Sequence, residues 1–111
     1  MEREDFIEYL ANSASAIFDH NQTKKLIDYF LSIYGLYKMR GVTMSADKIY
    51  RYIIRSVKLP YRQQVILYSI FSDYSMLTHE EKGKFLYVLI EKMIDKLLEG
   101  ADEADNKPRI F

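Results

Sequence analysis

Lys48, Arg51, Arg55 and Lys58 recur at spacings of three, four and three residues. A helix turns by about 100° per residue, so such spacing places all four in one narrow sector. Opposite them fall Ile49, Tyr50, Ile53 and Val57, an apolar face fit for burial. The segment 44–58 therefore predicts a helix that hides one side and presents a row of positive charge on the other. Tyr52 borders the row, while Arg62, Lys38 and Arg40 flank it in sequence and widen the basic patch. A row of cations binds anions: carboxylates of a protein, phosphates of a nucleic acid, or anionic lipid. In the nucleic-acid case Tyr52 could also stack on an exposed base.

Charge is sorted along the whole chain, although its total is zero from 16 basic and 16 acidic residues. Residues 1–19 sum to −4, residues 20–72 to +7 and residues 73–111 to −3. Generic nucleic-acid binding usually goes with an overall basic excess, which this chain lacks. A protein with an acidic surface is thus the favoured partner, and nucleic acid the alternative. The acidic first helix, or a tail bearing Asp102, Glu103 and Asp105, could also cover the row from within.

Catalytic chemistry finds little to work with. Cysteine is absent, which removes disulfides, thiolate metal sites and thiol nucleophiles. The two histidines fall in a predicted turn (His20) and in a first helical turn beside Glu80 and Glu81 (His79). Neighbouring helical residues point about 100° apart, so His79, Glu80 and Glu81 cannot converge on one ion. Asp28 and Asp73 lie beside apolar residues, but the first sits four residues after Lys24 and the second near a helix end. There is no phosphate-cradling glycine loop and no nucleophile elbow. The expectation is a protein that is not an enzyme and takes no cofactor or metal.

Helices must position the basic row, and helical periodicity runs through nearly all of the chain. The first helix is predicted over 3–18, with Phe6, Leu10, Ala14, Ile17 and Phe18 inward and Asn21 capping the next. The second, over 22–39, carries Leu26, Phe30, Ile33 and Tyr37, with Gly41 as its left-handed terminator. Gly35 in its middle predicts a close helix crossing. After the helix over 44–58, Pro60 opens a fourth over 60–72, apolar on most sides and so expected at the centre or in a dimer. Thr78 and Glu81 form a capping box for a fifth helix ending at Glu99 before Gly100. The expected fold is all-α: a compact bundle or orthogonal array of about five helices, one domain over 1–100, with a flexible acidic tail over 101–111. Ten tyrosines and six phenylalanines are many for so small a core. Tyr29, Tyr68 and Phe71 are therefore candidates for self-association as a homodimer.

Leu59-Pro60-Tyr61-Arg62, the apolar run through Phe71, and Thr78-His79-Glu80-Glu81 together resemble the start of a helix-turn-helix of the sigma-factor region 4 kind. The resemblance spans under a third of the chain and implies that the following helix reads DNA. The corresponding segment of that helix is Phe85-Leu86-Tyr87-Val88-Leu89-Ile90, a core-like run where polar base-reading side chains belong. In size and helix count the chain also resembles the four-helix immunity proteins of small bacteriocins. Its acidic start is unlike a signal peptide, and no run spans a bilayer, so a cytoplasmic location is expected. The expectation is a small non-catalytic interaction protein, acting as inhibitor, adaptor or immunity-type regulator. The composition is compatible with phage or plasmid origin.

Overall fold

The structure is a computed structural model that describes residues 2–106, with side chains through Glu99. It holds five helices: α1 (Arg3–Ile17), α2 (His20–Arg40), α3 (Ala46–Ser56), α4 (Tyr61–Ser75) and α5 (His79–Asn106). The all-α prediction holds.

Local chemistry sets each boundary. Asp19, rather than Asn21, caps α2: its Oδ1 accepts from the Gln22 N–H at 2.8 Å, and Gln22 Oε1 accepts from the Asp19 N–H at 3.0 Å. This reciprocal pair satisfies two donors that the first helical turn leaves free. Gly41 ends α2 at φ 66, its N–H donating to Tyr37 at 2.9 Å. The Ser45 hydroxyl caps α3 by accepting from the Lys48 N–H at 3.3 Å. Val57 is extended at φ −135, so α3 is shorter at both ends than 44–58. Thr78 and Glu81 form the expected capping box of α5, at 3.2 and 2.9 Å. Gly100 does not stop that helix, which runs on to Asn106. Ala101 and Ala104 are strong helix formers, and a glycine terminates only where its backbone turns left-handed. The tail expected over 101–111 is thus helical through Asn106, and residues 107–111 lie outside the described residues.

The central helix is α5, not α4. Arg3 meets Glu81, Glu4 meets Lys84, and Lys96 meets Ser15 and Phe18, so α1 runs parallel to α5. Tyr37 lies against Gly83 and Tyr34 against Tyr87, so α2 runs antiparallel to it. At Gly83 the Tyr37 ring occupies the space a Cβ would need, which makes this the close crossing. Gly35 has nothing within 4 Å of such a Cβ and marks no crossing among the described residues. Lys96 reaches back to the end of α1, where its ammonium donates to the Ser15 and Phe18 carbonyls at 2.5 Å each. Burial there pulls the Lys96 pKa down, against Asp19 and Glu99.

An antiparallel pair, α3 and α4, closes the other side, with α4 against α1 and α3 touching α2. Leu10, Leu26, Phe30, Ile53, Leu67, Phe71, Phe85 and Met93 meet in the one core. Tyr74 is fully buried there, and its hydroxyl donates to the Met44 carbonyl at 2.9 Å. That bond fastens the α2–α3 loop to α4 and fixes where α3 begins. No helix among the described residues is long and apolar enough to cross a membrane.

Candidate cationic interface on the third helix

The amphipathic split of α3 holds along its inner line, although Tyr50, expected on the buried face, is only half-buried and borders the same depression as the cations. Ile49 and Ile53 are fully buried and Val57 nearly so, while Lys48, Arg51 and Arg55 are exposed on the opposite side. The inward side packs against α4 and α2, which leaves the cations nowhere to point but outward. Arg51 pairs with Asp47 at 3.2 Å, one helical turn back, with both side chains mostly exposed. A surface pair of this kind is worth little and opens readily for another anion. Arg55 donates from Nε to the Arg51 carbonyl at 3.3 Å, which holds its guanidinium along the helix. Among the described residues, Lys48, Arg55, Lys58 and Arg62 have no carboxylate in ion-pair contact.

The internal cover considered from sequence does not come from α1, which packs on α5 and α4 and commits Glu4 to Lys84. The side chains of Asp102, Glu103 and Asp105 lie outside the described residues.

Tyr52 is half-buried and stacks on Tyr29 of α2, ring centroids 3.7 Å apart and planes 8° from parallel. One face of Tyr52 is therefore occupied by its own molecule, which narrows its use as a platform for a base. Burial raises the Tyr29 pKa, as does Tyr52, while Arg55 lowers it. Arg55 is thus close to the tyrosine pair. A depression of about 480 Å³ lies along this side, bordered by Lys48, Arg51 and Arg55, with Tyr29, Met44 and Ile54 among its apolar walls. It joins cations to an apolar floor.

Two of the expected site residues stand apart from the helical row. Lys58 lies past the end of α3, and its carbonyl accepts from Gln22 Nε2 at 2.7 Å. It borders a second depression with Arg55, Asp19 and Lys25 of α2. Lys25 therefore joins the basic surface, a residue that local spacing could not reveal because the antiparallel packing of α2 on α3 brings it there. Arg62 stands exposed in the first turn of α4 and borders neither depression.

The self-association candidates separate. Phe71 is corrected to a core residue at 2% exposure, with edge contacts to Tyr74 and Phe85 at 5.6 and 5.9 Å. Tyr29 is engaged with Tyr52, and Tyr68 alone is well exposed, at 62%. The sequence grouped Tyr68 and Phe71 because both sit on an all-round apolar helix. They are three residues apart, and the inward face of α4 centres on Leu67, Ile70, Phe71 and Tyr74.

Comparison with protein-family models, with curated proteins and with solved structures found no match to this chain.

Proposed function

We propose that this is a non-catalytic helical interaction protein whose basic surface on α3 docks on an acidic patch of another protein. The observation that supports this most is the row Lys48, Arg51 and Arg55: outward-facing, weakly paired, and set beside an apolar depression rather than a fully polar surround. Rim cations steer encounter with an oppositely charged surface, and an apolar floor supplies the desolvated centre of a protein interface. Occupying a partner surface in this way is how an inhibitor, adaptor or immunity-type regulator works. Nucleic acid is less favoured, since Tyr29 covers one face of Tyr52 and the chain has no net positive charge.

The test is capture from the native host on immobilised wild type and on the Arg51→Glu/Arg55→Glu variant, each with and without nuclease. Both residues are exposed, so the variant should keep its helical circular dichroism. A protein retained by wild type in the presence of nuclease and lost from the variant is the expected result. Identical capture by both forms would reject the α3 assignment, and loss of everything on nuclease treatment would favour nucleic acid.

A further inference from the structure

The outer side of α4 presents a face that a lone helix in water rarely carries. Only two of its fifteen residues are charged, Arg62 near its start and Asp73 near its end. Tyr61 just before them, and Val65, Ile66 and Tyr68 between them, are 80, 51, 46 and 62% exposed. The inner face of α4 is already packed, so these side chains contribute nothing to the core.

Arg62, Ile66, Ser69 and Asp73 are all exposed and are spaced four, three and four residues apart. At 100° per residue they fall within a sector of about 60° and form one line along the helix. A spacing of four, three and four reads the same in both directions. A two-fold axis through the middle of this line therefore sets Arg62 against Asp73 of a second copy, and Ile66 against its Ser69, each pair occurring twice. The small Ser69 at the crossing admits the Ile66 side chain and Val65 flanks the contact, whereas Tyr68 lies about 100° round the helix, against Tyr50 of α3. Neither Arg62 nor Asp73 has an ion-pair partner among the described residues of its own chain. Isologous contacts of this kind are the commonest route to a homodimer.

We infer that the outer face of α4 is an antiparallel homodimer contact in which Arg62 and Ile66 of one copy meet Asp73 and Ser69 of the other. A fifteen-residue helix is about 22 Å long, so a contact one helix wide falls below the usual protein–protein size. The dimer is accordingly weak and concentration-dependent. It is separate from the α3 surface, and the Arg51→Glu/Arg55→Glu variant should dimerise as wild type does.

Sedimentation equilibrium of the full chain, from about 5 µM to about 1 mM, tests the inference across that range. Wild type should pass from monomer to dimer. Ile66→Lys should remain a monomer with unchanged circular dichroism. Arg62→Asp and Asp73→Arg should each weaken association about tenfold or more, because each converts two attractions into two repulsions. The combined Arg62→Asp/Asp73→Arg exchange should restore it to within about threefold of wild type. A wild type that is monomeric throughout, a dimer indifferent to Ile66→Lys, or an exchange that fails to restore association would each overturn it.

Discussion

Replacing Tyr74 with Phe removes one hydroxyl from the molecule and leaves its packing in place. The Tyr74 ring has no exposed surface and lies 5.6 Å from Phe71 and 5.1 Å from Phe85, contacts that Phe keeps. Its hydroxyl is the donor to the Met44 carbonyl at 2.9 Å, and burial pushes its pKa far up, so it serves as a donor at any working pH. Without it, that carbonyl must find water or remain unpaired. A buried acceptor left alone costs about 1–3 kcal/mol, and half-buried Met44 admits some solvent, so about 1–2 kcal/mol is expected. For a domain of this size, that is a fall of roughly 5–10 °C in Tm. Urea titration followed by circular dichroism gives the free energy directly, with exposed Tyr68→Phe as the control expected to change little. Tyr74→Phe as stable as wild type, or no different from Tyr68→Phe, would show that the bond does not anchor the loop and that α3 owes its position to packing alone.

Two glycine substitutions should move stability in opposite directions. Gly35→Ala meets open space and gains helix propensity, so it should add about 0.5–1 kcal/mol. Gly83→Ala drives a methyl into the Tyr37 ring, and displacing that ring from its packing beside His79 should outweigh the same propensity gain by about 1 kcal/mol. Urea midpoints that shift together would contradict the crossing at Gly83. Glu81, held at about pKa 2 by hydrogen bonds from Arg3 and Thr78, gives a pH signature. Its folded value lies below the ordinary 4.5, so its stabilisation is complete above about pH 4.5 and is lost as pH falls through about 2. Glu81→Gln keeps the capping box but not the ion pair, so its Tm should fall below wild type at pH 6 and match it near pH 2. A deficit that stays constant with pH would exclude the Arg3–Glu81 pair as its source.

Much of the fold was written locally. The inward stripes of α1, α2 and α3, the Gly41 terminator, the Thr78–Glu81 box and the break at Leu59-Pro60 all depend on neighbours within one or two turns. The same short range made the charged face of α3 legible. What failed depended on tertiary context. Whether Gly35 or Gly83 marked a crossing was decided by where Tyr37 falls on α5. Whether α4 was central turned on α5 taking that place, which put Val65, Ile66 and Tyr68 outside and Phe71 within. Lys25 and Tyr29 reached the basic surface only because α2 and α3 run antiparallel. The choice of Asp19 over Asn21 as cap needed only Gln22, three positions on, and so was available from the sequence.

The account's central claim is that partner contact falls on the outward side of α3. Backbone amide chemical-shift mapping of isotope-labelled protein, titrated with the captured partner, tests it most directly. Perturbed signals should cluster at residues 48–58 with Lys25 and Tyr29, and leave the α1–α5 side of the bundle unmoved. Shifts confined to α1 and α5, with Lys48, Arg51 and Arg55 undisturbed, would contradict it.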